Sequence, residues 1–161
     1  MPGKYILLFL TVSVVVVCDQ ATKLYVDAAM VPHQSITVLE NYVHITYVRN
    51  PGGAFSLLAR VGREVVHPIL LGLSFVAAVI LILAYRTTAR DRLLSRLAFS
   101  LILGGAVGNL IDRLRLTEVI DFLDVHWYQY HWPVFNIADS VITIGVALLC
   151  WDLLFGKPGR S

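Results

Sequence analysis

The stretch that decides the fold class is Pro68–Tyr85, PILLGLSFVAAVILILAY, which contains no charged residue. About 18 apolar residues are enough for a helix that crosses the hydrocarbon layer of a bilayer. Three further apolar stretches, at residues 5–26, 93–111 and 137–155, are of similar length. The sequence therefore predicts four transmembrane helices, with the second at residues 68–85.

The overall composition agrees with a membrane protein. Hydrophobic residues make up 57% of the 161 residues and charged residues 15%, against about 45–50% and about 25% in soluble domains. The net charge of +2, with no basic run among aromatic residues, gives no support for nucleic-acid binding. Because the linkers are short and no internal repeat is present, we expect a single domain over residues 1–161.

The basic residues predict how the chain crosses the membrane. The link between the second and third stretches reads RTTARDR at residues 86–92, and further basic residues lie near the two termini, at Lys4, Lys157 and Arg160. Short loops rich in lysine and arginine are cytoplasmic. We therefore expect both termini in the cytoplasm and the segments 27–67 and 112–136 outside.

The two outer segments differ in character. The first contains two runs rich in β-branched and aromatic residues, 35–39 and 42–48, separated by Glu40-Asn41, and this pattern predicts a small antiparallel sheet on the membrane surface. The second is treated as a loop whose aromatic residues lie at the headgroup level, as is typical of such rings. These residues are Trp127, Tyr128, Tyr130 and Trp132.

Cys18 raises the alternative of a cleaved leader, because Lys4 is followed by an apolar run that ends at this cysteine. Val17 stands where a small residue is expected before a cleavage site, and polar residues that fit a continuing helix follow. We therefore expect a retained helix. Cys18 and Cys150 both lie in apolar stretches and are interpreted as unpaired core residues.

Polar residues near the outer helix ends need an explanation, since polar groups are costly in a bilayer. Asp19 and Lys23 are four residues apart and form either a structural ion pair or part of a site. The segment Asn50-Pro-Gly52 is either a turn or a flexible backbone segment near a substrate. We expect these groups to meet at one membrane level.

The third helix carries a glycine-rich motif, GGAVGNLIDR at residues 104–113. Gly104 and Gly108 are spaced to let another helix approach closely. Gly105, Asn109 and Arg113 share a second face. This pattern indicates either polar contacts that hold two helices together or a functional site next to the backbone that Gly105 leaves uncovered. Asp112, the remaining charged residue of the motif, is expected to pair with a neighbouring arginine.

Two acidic positions suggest chemistry. Asp121 lies in VIDF, and Asp139 lies in FNIAD three residues after Asn136; Asp124 has a similar apolar setting and competes with Asp121. Two carboxylates held together away from water share a proton. One can then activate water while the other protonates a leaving amine. Such a pair predicts peptide hydrolysis.

Other chemistries fit poorly. The histidines show no metal-ligand spacing, and the sequence contains neither a nucleophile elbow nor a phosphate-binding glycine loop, so no metal or cofactor is expected. A transporter is the main rival, because buried polar groups also line permeation paths, but it requires polar residues through the full membrane depth. A non-catalytic assembly factor that packs through Gly104 and Gly108 is the second.

Taken in order, five motifs resemble those of bacterial lipoprotein signal peptidase, also called signal peptidase II. They are D19xxxK23, N50xGxAF55, G104GAxGNxxDR113, V119xDF122 and F135NxAD139. The resemblance covers nearly the whole chain. One departure is Gly53, since alanine is more usual after the glycine of the second motif.

The resemblance implies an α-helical membrane protein with four transmembrane helices, a small extracytoplasmic β-sheet (a β-cradle) and a second periplasmic loop. It implies an aspartyl endopeptidase of the bacterial inner membrane that cuts prolipoproteins just before a diacylglyceryl-modified cysteine, with membrane lipid around it and globomycin as an inhibitor. Asp121 and Asp139 would be catalytic. The supporting residues would be Asp19, Lys23, Asn50, Gly52, Gly105, Gly108, Asn109, Arg113, Asn136 and Ala138.

Overall fold

The computed structural model describes residues 2–52 and 62–156, and within these ranges it contains four long helices and a small sheet. The helices are α1 (Pro2–Ala29), α2 (Arg63–Thr87), α3 (Leu93–Leu116) and α4 (Ile137–Phe155). The strands are β1 (Ser35–Leu39), β2 (Val43–Asn50), β3 (Val119–Trp127) and β4 (Tyr130–His131). All four helices are long and apolar enough to span a membrane, which confirms the predicted class.

The helix bounds differ from the prediction at one or both ends of three helices. α4 matches residues 137–155, whereas α1, α2 and α3 extend beyond their apolar stretches because polar residues at their ends continue the helix. Pro68 lies inside α2 and does not begin it. A proline is tolerated inside a membrane helix when neighbouring groups satisfy the freed backbone.

α3 is the central helix and packs against the other three. Its glycines allow two of these approaches. A Cβ atom on Gly104 would lie 2.9 Å from Val15 Cβ of α1, and one on Gly105 would lie 2.5 Å from the Ala138 carbonyl oxygen of α4. Both distances are too short for real side chains, so these glycines set how closely α1 and α4 approach.

The sheet is antiparallel in the order β1-β2-β3-β4. The first two strands confirm the hairpin predicted in the first outer segment. β3 was missed, because the second outer segment was treated as a loop: residues 119–122 are all buried, so no apolar–polar alternation marks this part of the strand. In the register of β2 and β3, Val48 lies opposite Asp121 and Asn50 opposite Val119.

The helix ends away from the sheet are tied together by lysine and arginine. Lys4 Nζ at the start of α1 donates to the carbonyl oxygens of Arg86 (2.9 Å) and Thr88 (2.5 Å) at the end of α2. Arg92 Nη2 lies 3.1 Å from Asp152 Oδ2 near the end of α4. The start of α1, the α2–α3 link and the end of α4 therefore lie at the same end of the bundle.

The prediction that both cysteines are core residues is wrong. Cys18 and Cys150 are free thiols and are exposed on the surface of the bundle. The physical reason is that lipid is itself apolar, so apolar residues of a membrane protein gain little from facing the protein interior.

Candidate active site

A cavity of about 640 Å³ opens between the sheet and the helix bundle, and both predicted aspartates line it. Its walls come from β2, β3, α2, α3, the segment before α4 and the first turn of α4. The lining residues are Val48, Asn50, Gly52, Leu70, Arg113, Asp121, Trp132, Pro133, Val134, Phe135 and Asp139. This volume is within the roughly 300–1,000 Å³ range of ligand sites.

Asp121 occupies the third position of β3 and is 2% exposed. Its Oδ2 accepts a hydrogen bond from Asn50 Nδ2 at 2.8 Å, and its Oδ1 accepts one from Asn136 Nδ2 at 2.7 Å. Burial raises the pKa of Asp121 from 3.8 to about 6, and the charge of Asp139 acts in the same direction against the two hydrogen bonds. The Asp121 carboxyl therefore holds a proton more readily than an ordinary aspartate.

Asp139 lies in the first turn of α4 and is held by a capping box. Asn136 is the N-cap: its Oδ1 accepts from the Asp139 backbone N–H at 2.9 Å, and Asp139 Oδ2 accepts from the Asn136 N–H at 3.4 Å. Asp139 Oδ1 also accepts from Asn109 Nδ2 at 2.8 Å. The helix N-terminus further favours a negative charge here.

Asn136 joins the two acids. Its Nδ2 donates to Asp121 Oδ1, to Asn109 Oδ1 (3.1 Å) and to the Ile120 carbonyl oxygen (3.2 Å), while its backbone and Oδ1 bind Asp139. Asn136 is fully buried. A single fixed amide therefore lies between the carboxyl groups of Asp121 and Asp139, which places both acids at one site.

A buried ion cluster lies behind the cavity and centres on Lys23. Lys23 Nζ is 2.9 Å from Asp19 Oδ2, 2.8 Å from Asp112 Oδ2 and 2.9 Å from Asn109 Oδ1. The Lys23 contact defines the orientation of the Asn109 amide, since its oxygen meets a cation and its nitrogen is left to donate to Asp139. The cluster thus fixes the Asn109 amide that holds Asp139, without lining the cavity itself.

The same cluster joins four elements, α1, α3, β3 and α4. Asp19 Oδ1 accepts from the Ala138 N–H of α4 at 2.9 Å, and Asp112 Oδ2 accepts from the Ile120 N–H of β3 at 3.2 Å. The expectation that Asp112 pairs with a neighbouring arginine is wrong. Adjacent residues of a helix do not face each other, so Arg113 points into the cavity while Asp112 points toward α1.

Arg113 brings a positive charge to the cavity. Among the described residues its Nη1 makes only long hydrogen bonds, 3.4 Å to Ser74 Oγ of α2 and 3.4 Å to the Asn109 carbonyl oxygen. Such distances lie beyond the usual range for N–H···O bonds. The guanidinium is therefore suited to bind a carbonyl oxygen or a carboxylate that enters the cavity.

Three glycines fit tight places around the site. Gly52 has φ +100°, and a Cβ there would lie 2.2 Å from Leu70 Cδ1; its N–H donates to Asn50 Oδ1 at 2.9 Å, which orients that amide toward Asp121. Gly108 faces Asp19, with only 2.5 Å between a built Cβ and Oδ2. Gly105 faces Ala138. Gly53, the departure from the usual motif, lies outside the described residues.

Asp124 is the other acid that the sequence left as a candidate. It is 6% exposed and lies away from the cavity, where its Oδ1 is 2.9 Å from His131 Nδ1 and its Oδ2 accepts from Thr46 Oγ1 at 3.3 Å. Of the two competing acids, the structure places Asp121 in the cavity.

The comparisons with known proteins agree on one family. The sequence model of the signal peptidase (SPase) II family matches residues 11–155. The chain belongs to the signal peptidase II family. Proteins named lipoprotein signal peptidase are 47% identical in Syntrophotalea carbinolica (91% of this chain, 90% of the relative) and 45% identical in Geobacter metallireducens (100% and 98%).

Two solved structures have the same fold as this signal peptidase II family member. A bacterial membrane enzyme determined by the in meso method at 1.9 Å superposes with a TM-score of 0.83 at 34% identity, covering 93% of this chain and 94% of the other. A second, at 2.3 Å, gives a TM-score of 0.82 at 32% identity, covering 96% and 93%. The resemblance read from the motifs is confirmed, and this signal peptidase II family member is a multi-pass membrane peptidase.

Some residues around the site carry no motif signal. Gln20 Nε2 donates to Asp112 Oδ1 at 3.0 Å, and Ser74 contacts Arg113 from α2. The wall at residues 132–135 was also missed as part of a site. Gln20 and Ser74 could have been selected from the sequence, because each is a polar residue inside an apolar stretch. The cavity wall at residues 132–135 can be recognised only in the tertiary structure. Within the described ranges, no group of three or more acidic, histidine or cysteine residues is placed to hold a metal ion.

Proposed function

We propose that Asp121 and Asp139 are the catalytic pair with which this signal peptidase II family member removes signal peptides from prolipoproteins. The relatives named lipoprotein signal peptidase support the substrate class. The observation that carries the assignment of the two residues is their position in one cavity, joined through Asn136. The scissile bond is the one just before the diacylglyceryl-modified cysteine, and the chain works as a single domain.

The chemistry uses a water molecule between the two carboxyl groups. Asp139, stabilised as an anion by Asn109 and the start of α4, takes a proton from the water, and the resulting hydroxide attacks the peptide carbonyl carbon. Asp121 retains its proton because it is buried and lies beside a second acid. It then donates that proton to the leaving amine as the carbon–nitrogen bond breaks.

The surrounding residues position the substrate. Arg113 binds a backbone carbonyl oxygen, and Asn50 and Asn109 keep the two carboxyl groups in place. The signal helix enters from the side between the helices, and its lipid chains remain in the bilayer. Inhibitors of the globomycin type occupy the same cavity.

The charge pattern supports a location in the bacterial inner membrane. Lys4 and the link at residues 86–92 lie at the end of the bundle away from the sheet, and basic segments remain in the cytoplasm. Both termini are then cytoplasmic, and the cavity opens near the periplasmic face.

The test is cleavage of a diacylglyceryl-modified prolipoprotein by purified protein in detergent, with the unmodified prolipoprotein as substrate control. Asp121→Asn and Asp139→Asn should each reduce turnover by at least about 10²-fold, the lower limit for loss of a general acid or base. Asp124→Asn is the matched control, because Asp124 lies on the same strand outside the cavity, and it should stay within a few-fold of the wild type.

Thermal unfolding should show that all three variants are folded. Turnover within ten-fold of wild type by either Asp121→Asn or Asp139→Asn would rule out the proposed pair. A similar loss of turnover in Asp124→Asn would show that replacing any aspartate of β3 impairs the enzyme, whether or not it lies in the cavity.

A further inference from the structure

The two carboxyl groups of the buried ion cluster each bind the backbone just before one of the proposed catalytic acids. Asp19 Oδ1 accepts a hydrogen bond at 2.9 Å from the N–H of Ala138, one residue before the proposed general base. Asp112 Oδ2 accepts one at 3.2 Å from the N–H of Ile120, one residue before the proposed general acid. The separation of Asp19 and Asp112 is therefore linked to the separation of the two catalytic acids.

Two side chains of α1 join these carboxyl groups. Lys23 Nζ lies 2.9 Å from Asp19 Oδ2 and 2.8 Å from Asp112 Oδ2. Gln20 Nε2 also reaches both, at 3.2 Å from Asp19 Oδ2 and 3.0 Å from Asp112 Oδ1. We propose that Gln20 is a positioning residue whose amide holds Asp19 and Asp112 together, and so sets the separation of the two acids in the cavity. The role given to Gln20 rests on the proposed catalytic pair.

Lys23 alone does not balance the cluster. One ammonium group lies between two carboxyl groups, and all three side chains are at most 1% exposed. Two carboxylates away from water repel each other, and each needs hydrogen-bond donors. Among the described residues, Gln20 is the only side chain that donates to Asp112 Oδ1. Its amide therefore supplies donors to both acids without adding a charge.

The surroundings of Gln20 define the orientation of its amide. The nitrogen faces three acceptors, which are Asp19 Oδ2, Asp112 Oδ1 and, at 3.1 Å, the carbonyl oxygen of Gly108. The oxygen faces a donor, Arg115 Nη1, at 3.3 Å. A reversed amide would place its oxygen against three acceptors and its N–H groups against a guanidinium. The donors of Gln20 are therefore directed into the cluster.

Loss of the Gln20 amide should let the cluster spread. The negative charges of Asp19 and Asp112 would remain while one of the two groups that join them is gone. The start of α4 would follow Asp19, and β3 would follow Asp112, because each is bound through a backbone N–H. The carboxyl groups of Asp121 and Asp139 would then lie farther apart.

The substitution Gln20→Met tests this, because methionine is unbranched and of similar length but offers no N–H donor and no charge. The charge of Asp139 helps to raise the pKa of Asp121 to about 6, and this contribution falls as the two groups separate. Carbon-13 NMR of labelled carboxyl groups should therefore show a lower pKa of Asp121 in Gln20→Met than in the wild type. The other charged groups that act together with Asp121, Lys23 and Arg113, are unchanged in this variant.

Cleavage of the diacylglyceryl-modified prolipoprotein gives the second readout. The kcat of Gln20→Met should fall by about ten-fold or more, toward the loss of about 10²-fold that a misplacement of about 1 Å can cause. KM should change less, because Gln20 does not line the cavity. The fall of kcat at high pH should begin at a lower pH, since Asp121 must keep its proton to act as general acid. A smaller folded fraction would lower the rate equally at every pH.

Gln34→Met is the matched control, since it makes the same chemical change in the exposed segment between α1 and β1. Gln34 Oε1 accepts from the Val31 N–H at 3.0 Å, and the side chain belongs to neither the cluster nor the cavity. This variant should keep the wild-type pKa of Asp121 and a kcat within a few-fold of the wild type. Gln20→Asn, whose shorter amide does not reach both carboxyl groups, replaces Gln20→Met if thermal unfolding shows that Gln20→Met is not folded.

Two results would overturn the proposal. The first is a pKa of Asp121 in folded Gln20→Met (or Gln20→Asn) that is not lower than in Gln34→Met. The second is a lower kcat with an unmoved pH profile, which would show that Gln20 supports the fold only. The NMR measurement needs no cleavage, so its outcome is independent of the catalytic assignment, which fails instead if Asp121→Asn keeps its turnover.

Discussion

Replacing Gly105 with alanine should displace Asp139, the proposed general base at the start of α4, without contacting it directly. A Cβ on Gly105 would lie 2.5 Å from the Ala138 carbonyl oxygen and 2.7 Å from Ile142 Cγ1, whereas ordinary contacts begin at 3.4 Å. The carbonyl oxygen belongs to the α4 backbone and cannot rotate away. The start of α4 must therefore move by about 0.9 Å to reach ordinary contact, and Asp139 is the next residue.

A misplacement of about 1 Å at a catalytic group can cost about 10²-fold in rate. We therefore expect Gly105→Ala to lower kcat for prolipoprotein cleavage by about that factor, with a smaller change in KM. Alanine is a better helix former than glycine by about 1 kcal/mol, which opposes the overpacking cost of about 1–3 kcal/mol. The protein should therefore stay folded, as checked by thermal unfolding.

Gly72→Ala is the matched control for this experiment. Gly72 lies inside α2, and apart from the adjoining residues of its own helix, a Cβ there has no heavy atom of the described residues within 4 Å. This variant should keep wild-type kcat and unfold at the same or a slightly higher temperature. Wild-type turnover in Gly105→Ala, or an equal loss in both variants, would refute the argument that the contact between α3 and α4 sets the position of Asp139.

Two further predictions concern charge. Burial and the charge of Asp139 raise the pKa of Asp121 to about 6, so the folded protein binds this proton more tightly than the unfolded chain. The resulting stabilisation of the folded state is complete below pH 3.8 and is lost as the pH rises through 6. Asp139→Asn should therefore lower the pKa of Asp121, measured by carbon-13 NMR of labelled carboxyl groups; an unchanged pKa would contradict the coupling. Lys23→Met leaves Asp19 and Asp112 buried without their cation, so denaturant unfolding should show a loss of about 3–5 kcal/mol, and a loss below about 1 kcal/mol would argue against a structural role for the cluster.

Alternatives that the sequence left open were decided by contacts between distant residues. Asp121 and Asp124 have similar apolar neighbours, and only the sheet places one in the cavity and the other beside His131. Asp112 has an arginine next to it in sequence and yet pairs with Lys23 of α1. Sequence neighbours on a helix point in different directions, so a partner for a buried charge cannot be chosen from adjacency.

The sequence by itself determined the class of this protein and its family. Long apolar stretches require lipid, basic residues group at one end, and five ordered motifs select the signal peptidase II family, because each of these features depends only on the residues and their order. Only the tertiary structure decided which side chains meet. The cavity joins helices and strands that are far apart in the chain. Within it the amide of Asn136 lies between two acids, and behind it the cation of Lys23 lies between two others. Such contacts depend on how the helices and strands pack, which local residue patterns do not reveal.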